Sequence, residues 1–370
     1  MSANRIALVH EWVEKFGGAE SVLDELVKLF PKSDLYVLWT DFAERYPLET
    51  YESFISKTFL RNHKAMSLPF QLAAWRLFGN RTKDYDKVIV SSHLFAHHIK
   101  LGNSSTSNKY IYTHTPARYI WEPERDTRGD NFLFRAAASL IKPLDRRRAL
   151  EPLEIAANSG FTREKIAAAW DRDAKVIYPP VRAFEIQSKL KAGISIDDSE
   201  LRALGALPKG YILGASRFIE YKKLDRVIEI GEWTDTPVVI AGSGPLLARL
   251  TQRAALAKVP VTIIQRPSDE MLLTLFANAQ SYIFPPIEDF GVMPLEAGAC
   301  GTPVLANEIG GSAETVSDGV NGWKVDMQSK SSILDGMNRI TAVSSSGCIS
   351  ESMKFDSSVF REEILNWVRD

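Results

Sequence analysis

The sequence predicts an α/β fold made twice over, two halves that each carry a parallel sheet between layers of helices. Three observations predict it. Short apolar runs recur along the chain, each followed by a loop and then by apolar residues at helical spacing, as expected of strands covered on both faces. A chain of 370 residues exceeds what one core normally serves, so two domains are the default. The alternation also stops once, at Tyr178, Pro179, Pro180 and a polar, weakly patterned stretch from Arg182 to Leu207, and restarts at Tyr211.

In the first half, Arg5–His10 is the opening strand, and Gly17, Gly18, Ala19 and Glu20 then open a helix with Val22, Leu23, Leu26, Val27 and Phe30 on one face. A glycine pair there suits a helix N-terminus that receives a phosphate or sugar oxygen, and equally a tight turn with close packing. Asp34–Trp39, Lys87–Ser91 and Tyr110–Tyr112 read as the next strands. Ligands of open α/β sheets bind beyond the carboxyl ends of strands, so His114 and Arg118, on the loop after Tyr112, are candidate site residues. Ala156–Ser159 leads to a helix from Thr162, and Val176–Val181 is a strand that two prolines end.

The second half begins with the strand Tyr211–Ala215, followed by Ser216, Arg217 and, at a helix start, Lys222. Positive charge at a helix N-terminus is unfavourable unless an anion is present, and two cations converging there suit a diphosphate. Val238–Ala241 runs into Gly242, Ser243, Gly244 and Pro245, a turn that lets backbone approach a ligand, and Val261–Gln265 is followed by Arg266. Ser281–Phe284 leads into Pro285–Thr302, where Glu288 and Glu296 stand eight residues apart around Phe290, Gly291 and Val292. With Glu288 in the loop and Glu296 two turns inside a helix, the carboxylates fall on one side, about 12 Å apart. That suits an elongated ligand with hydroxyls at two places, and it also suits two solvated helix charges. Pro303–Ala306 is the next strand, Gly310 and Gly311 open another helix, and Phe355–Val368 is an amphipathic helix at the C-terminus.

Composition narrows the class. Hydrophobic residues at 45% and charged residues at 25% are ordinary for a soluble globular protein, and a net charge of −1 gives no pull toward nucleic acid. Cys300 and Cys348 have no metal-ligand spacing and fit a reducing compartment; with a strand starting at Arg5 and no apolar run of about 18 residues, neither signal peptide nor membrane span is expected. A cytoplasmic location follows. From Phe54 to Lys83 the basic residues Lys57, Arg61, Lys64, Arg76, Arg81 and Lys83 interleave with Phe59, Met66, Phe70 and Trp75 without one acid. Two readings fit: peripheral contact with an anionic membrane, such as the inner face of the plasma membrane, or a helix pair with a solvated basic edge. Arg146, Arg147 and Arg148 carry the same pair of readings.

Taken together, Gly17-Gly18-Ala-Glu20, the His114-Thr-Pro-Ala-Arg-Tyr loop, Arg217 with Lys222, Gly242-Ser-Gly-Pro245, the Glu288 to Glu296 signature and Gly310-Gly311 with Glu314 resemble a family 4 retaining glycosyltransferase. The His-Thr-Pro loop and the Tyr-Pro-Pro linker are most similar to the bacterial mannosyltransferase branch that builds O-antigen and exopolysaccharide. The resemblance implies the GT-B architecture, two Rossmann-like domains with parallel sheets facing a central cleft. It places an acceptor domain at 1–178, a nucleotide-sugar donor domain at 179–354, and the helix 355–370 back on the first. It implies transfer of a hexose, mannose from GDP-mannose first, to a lipid-linked or glycan acceptor, with no cofactor and no metal. It assigns Glu288 to the sugar hydroxyls, Glu296 to the ribose, Arg217 and Lys222 to the diphosphate with the amides near Gly291 and Val292, and His114 to the reacting face of the sugar. Ser216, Gly242, Gly244, Arg266 and Phe290 fall on the donor side, the Gly17-Gly18 loop closes over the donor, and Arg118 falls on the acceptor side. Lys223 stands where relatives often carry glycine, which leaves Lys222 and Lys223 both open as the diphosphate lysine. A UDP-sugar enzyme of the same fold, a nucleotide-sugar 2-epimerase and a non-catalytic sugar-binding protein are the alternatives.

Overall fold

The computed structural model describes residues 5–15, 17–78, 83–101, 108–123 and 132–369. The chain forms two units, Met1–Pro180 with Phe360–Asp370, and Val181–Val359.

The first unit carries strands β1 (Ile6–Val13), β2 (Asp34–Thr40), β3 (Glu49–Glu52), β4 (Lys87–Ser92), β5 (Lys109–Thr113), β6 (Glu154–Ala157) and β7 (Lys175–Val176), all parallel, in the order β3-β2-β1-β4-β5-β6-β7. Both faces are covered, which is why the strands read as continuous apolar runs. Leu8 packs with Val22, Leu23 and Leu26 of the helix Gly18–Leu29, while Ala7 and Val9 pack on the opposite face with Trp75 and Phe95. Phe360, Ile364, Trp367 and Val368 of the C-terminal helix join the Leu8 face, and Arg361 bonds Glu25. Asp145 is a buried hub on the same unit: its carboxylate accepts the indole N–H of Trp121 at 2.8 Å and of Trp170 at 2.7 Å.

The second unit carries β8 (Ile212–Arg217), β9 (Val238–Ser243), β10 (Val261–Gln265), β11 (Ser281–Phe284), β12 (Val304–Asn307) and β13 (Gly322–Val325), again all parallel, in the order β10-β9-β8-β11-β12-β13. In each sheet the strand order reverses once, between β1 and β4 and between β8 and β11. Crevices for ligands form at such switch points, outside the strand carboxyl ends.

Several expectations change. The strand predicted at Val176–Val181 shrinks to Lys175–Val176, because Pro179 and Pro180 have no N–H for a ladder. The weakly patterned stretch 182–207 holds two helices, Ala183–Ala192 and Asp198–Gly205. Asp197 caps the second by accepting from the amides of Ser199 and Glu200 at 2.8 Å, and Leu204 and Leu207 pack on the core, so a short apolar edge was enough. The helix expected at Gly310 is one 3-10 turn, Gly311–Thr315. β3 and β13 escape the sequence because neither is an apolar run: β3 is a partly exposed edge and β13 begins with a glycine.

Candidate functional site

The site in the second unit grows from the switch point between β8 and β11. After β8 the chain makes a 3-10 turn, Glu220–Lys222, and Lys223 adopts φ 49°, ψ 43° before the helix Leu224–Thr234. This turn sends Lys222 inward, 9% exposed, and leaves Lys223 in solvent. The Lys222 ammonium pairs with the Glu288 carboxylate and lies 5.9 Å from the centre of the Phe284 ring. Of the two lysines, Lys222 is therefore the one at the switch point. The left-handed backbone at Lys223 also gives a physical reason for glycine there in relatives.

Glu288 sits in the loop that Pro285 and Pro286 force away from β11. The 310–311 turn braces that loop: the Gly311 amide donates to the Glu288 carbonyl at 2.7 Å. A Cβ at Gly311 would stand 1.9 Å from the Asp289 carbonyl oxygen, so no other residue fits. Asp289 and Phe290 are buried beneath, and Gly291 is the N-cap of the helix Val292–Ala299. Glycine offers no side chain to cap the helix amides, and no side-chain hydrogen bond caps this helix start. Glu296 is one turn into this eight-residue helix rather than two. Burial pushes its pKa up, opposed by Arg182, whose Nη2 is 3.5 Å from Oε1.

Arg217 is exposed, 3.4 Å from the Tyr221 hydroxyl, and pairs with no carboxylate among the described residues. Gly242 has φ 140°, and a Cβ there would lie 1.9 Å from the Ser216 carbonyl oxygen. That glycine is required by packing between β8 and β9, whatever ligand it also meets. Gly244 follows at the exposed end of β9, and Arg266, exposed at the end of β10, donates its amide to the Gly242 carbonyl at 2.9 Å. Ser216, Gly242, Gly244 and Arg266 thus line the carboxyl ends of three adjacent strands, in the same unit as Lys222, Glu288 and Glu296.

The first unit has its own constellation at the switch point between β1 and β4. Glu11 is fully buried, and its Oε1 accepts from the amides of His93, Leu94 and Ala96 at 3.0, 2.8 and 3.1 Å and from the Ser92 hydroxyl at 3.1 Å. Its Oε2 is 3.2 Å from His93 Nδ1. Burial alone would raise the Glu11 pKa, but His93, His10 and the amides hold it below the usual carboxylate range. His114, half-buried, reaches Ser91 Oγ with Nε2 at 2.8 Å, and Ser91 Oγ is 3.1 Å from His10 Nδ1. Burial, then His93 and His10, lowers the His114 pKa well below the usual value. Gly17, exposed, caps the helix Gly18–Leu29, and a Cβ there would strike the buried Glu20 carboxylate; Gly18 meets nothing and stays exposed. Arg118 opens the short helix Arg118–Trp121 beyond His114.

Sequence reasoning singled out His114 but not His10, Glu11 and His93, which the structure groups with it. β1 runs to Val13 rather than ending at His10, which puts Glu11 in the strand and not in the loop that the sequence predicts. Among the described residues, His97, His98 and Asp145 are grouped closely enough to hold a metal ion, yet Asp145 Oδ2 already accepts from two indoles and Oδ1 lies 3.0 Å from His97 Nε2 and 2.8 Å from His98 Nε2, which are hydrogen-bond distances. The acid-free stretch 54–83 also changes meaning. Arg61 meets Asp41 at 2.8 Å, Arg76 meets Glu151 at 2.5 Å, Lys83 meets Asp34 and Glu49 at 3.2 and 3.0 Å, and Lys64 pairs with Glu14. Acids distant in sequence neutralise these cations, while Phe54, Phe59, Met66, Phe70 and Leu77 remain exposed; Arg81 lies outside the described residues. Among the described residues no helix is long and apolar enough to cross a membrane.

Residues 200–345 match the family model of glycosyl transferases group 1. The chain is 37% identical over 102 residues to the D-rhamnosyltransferase WbpZ of Pseudomonas aeruginosa, 26% of each chain. It is 29% identical over 193 residues to the GDP-mannose-dependent alpha-(1-6)-phosphatidylinositol monomannoside mannosyltransferase of Mycolicibacterium smegmatis, 45% of this chain and 47% of that one. It is 30% identical over 135 residues to O-antigen chain mannosyltransferase C of Escherichia coli, 35% of each. The matched region thus spans between a quarter and a half of these relatives' length. The solved structure of Anabaena Alr3699/HepE in complex with UDP covers 99% of both chains with a TM-score of 0.68 at 16% identity, a likeness of fold. Residues 200–345 resemble the glycosyl transferases group 1, and the two parallel α/β units of the chain have the GT-B fold.

Proposed function

We propose that this protein is a retaining, metal-independent glycosyltransferase that moves a hexose, mannose from GDP-mannose first, to a lipid-linked or glycan acceptor of a bacterial surface polysaccharide. The observation that carries the reading is Lys222 held against Glu288 at the switch point of the sheet inside the matched domain, next to a helix start that no side chain caps. The mannosyl and GDP-mannose assignments rest on the named relatives from Mycolicibacterium smegmatis and Escherichia coli. A UDP-sugar donor is the second reading, favoured by the UDP-bound Anabaena neighbour.

In the proposed reaction the bond from the sugar C1 to the diphosphate breaks while the acceptor oxygen bonds C1 on the same face. The acceptor proton passes to the departing phosphate oxygen. Lys222, Arg217 and the Val292 helix start face the charge that grows on that phosphate, so their attraction is largest in the transition state. Glu288 and Glu296 hold the donor, and His114 contacts the sugar. Contact with a membrane, where a lipid-linked acceptor resides, rests on the exposed Phe59, Met66 and Phe70 rather than on the paired cations. The test is transfer from GDP-mannose, UDP-glucose and ADP-glucose to a lipid-linked acceptor in excess EDTA, with the anomer of the product read by NMR. Transfer from GDP-mannose with retention supports the reading; inversion, or loss on chelation, overturns the mechanism. Flotation on liposomes of anionic and neutral lipid tests the membrane contact, and no flotation on either removes it.

A further inference from the structure

We propose that His10 and Ser91 are positioning residues that order the protons of a three-residue relay, so that His114 offers its Nδ1–H as a hydrogen-bond donor and keeps Nε2 unprotonated. The inference rests on the role given to His114 above, and it goes beyond that role by fixing what the imidazole can do.

The relay is built into the sheet. Register pairs His10 of β1 with Ser91 of β4, and Ser91 with Tyr112 of β5, two residues before His114. The period of two then brings His10, Ser91 and His114 to one face in a row. The contacts are 3.1 Å from His10 Nδ1 to Ser91 Oγ and 2.8 Å from Ser91 Oγ to His114 Nε2. A hydroxyl has one proton to give, so the row can point in only one of two directions.

The far end decides which. His10 is fully buried, and among the described residues its Nε2 has no hydrogen-bond partner. A proton on Nε2 would be an orphaned buried N–H, which native structures avoid more strictly than an orphaned acceptor. The His10 proton therefore sits on Nδ1 and is donated to Ser91 Oγ. Ser91 in turn donates its proton to His114 Nε2. Burial holds both imidazoles below their usual pKa, so each carries a single proton near neutrality. The proton of His114 is left on Nδ1.

The consequence is chemical. A neutral His114 with Nδ1–H donates to an oxygen ligand, a sugar hydroxyl or a phosphate oxygen, and it is not the base that takes the acceptor proton. Which nitrogen carries the proton is set by the bond the other makes, and Ser91 makes that bond here.

The experiment uses the full chain with its six histidines labelled with 15N, their ring signals assigned from His10→Gln and His114→Gln. Long-range 1H–15N spectra at neutral pH are expected to show Nδ1 protonated and Nε2 bare on both His10 and His114. Ser91→Ala is expected to shift His114 toward the Nε2–H form, with the remaining histidine signals in place, and to lower kcat about tenfold with a smaller change in KM. Ser91→Thr, which keeps the hydroxyl, restores both. Should Ser91→Ala not fold, His10→Phe removes the ordering end of the relay and is expected to give a mixed His114 tautomer. Nε2–H on His114 in the unaltered protein, or a tautomer indifferent to Ser91, overturns the relay. The predicted tautomers with full transfer by Ser91→Ala would instead leave the relay standing and overturn the role of His114 in transfer.

Discussion

Glu288 is more than a loop carboxylate, and a double-mutant cycle with Lys222 measures how much more. Read from sequence alone, a charge in a surface loop costs the fold little, and Glu288→Ala should remove transfer while leaving stability untouched. In the structure the same carboxylate is the partner of an ammonium that is 9% exposed. Its removal strands a nearly buried charge, and losing the partner of a buried polar group costs about 1–3 kcal/mol. At roughly 2–4 °C per kcal/mol for a domain of about 150–250 residues, Glu288→Ala and Lys222→Met should each lower the melting temperature by several degrees. The double variant leaves neither charge alone, so it should lose less than the two together, with a coupling of about 1–2 kcal/mol. Differential scanning calorimetry of the four proteins reads the coupling directly. Isothermal titration with GDP adds an independent arm: Glu288→Gln removes a negative charge beside Lys222 and should bind GDP no more weakly than the parent, whereas Lys222→Met should weaken it about tenfold or more. Additive stability changes would refute the pairing, and GDP binding lost in Glu288→Gln would refute the division of roles between the two residues.

Gly311→Ala would drive a Cβ to 1.9 Å from the Asp289 carbonyl, so a loss of about 2 kcal/mol or more by urea titration is expected, together with loss of donor binding; a stable, active variant would show that the turn does not brace the loop. At Lys223, φ 49° penalises β-branched residues, and Lys223→Val should cost about 1–2 kcal/mol while Lys223→Gly leaves transfer intact, since the lysine that faces Glu288 is its neighbour. Acid should destabilise the fold through His98. Burial, then His97, holds its pKa down at about 4 against Asp145, so the unfolded chain binds the proton first, and the stability His98 contributes at neutrality is lost as pH falls from about 6.5 toward 4. Urea midpoints at pH values across that window should fall less steeply in His98→Asn than in the parent; equal slopes would place the acid sensitivity elsewhere.

What was legible in the sequence is what a strand end exposes. Apolar runs gave the strands, and the carboxyl ends of those runs gave Arg217, Gly242, Arg266, Glu288 and His114, because parallel sheets put ligands there whatever the chemistry. What stayed hidden depends on backbone conformation or on contacts distant in sequence. Lys222 and Lys223 are identical as letters, and only the left-handed turn at 223 sends one inward. The basic stretch 54–83 looked unneutralised because Asp41, Glu14, Glu151, Asp34 and Glu49 lie outside it in sequence. Glu11 was invisible for a related reason: four donors gather on its carboxylate from the segment 92–96, more than eighty residues away, and no local pattern announces them.

That last case also separates two kinds of glutamate at switch points. Glu288 is held by one cation and stands partly exposed, an arrangement an incoming diphosphate can rearrange. Glu11 is held by three amides and a hydroxyl with no solvent contact, so exchanging its partners would cost several buried hydrogen bonds at once. Glu11 therefore fixes the loop that carries His93, and the chemistry at the end of β1 and β4 is left to the imidazoles around it. Glu11→Gln keeps the shape but turns an acceptor-only group into one that also carries donors. It should lower stability by about 1–3 kcal/mol and broaden the His93 ring signals, while His10→Gln alters the His114 tautomer and leaves the loop amides unchanged. Equal effects of the two substitutions on the loop amides would mean that the carboxylate and the relay form one network rather than two.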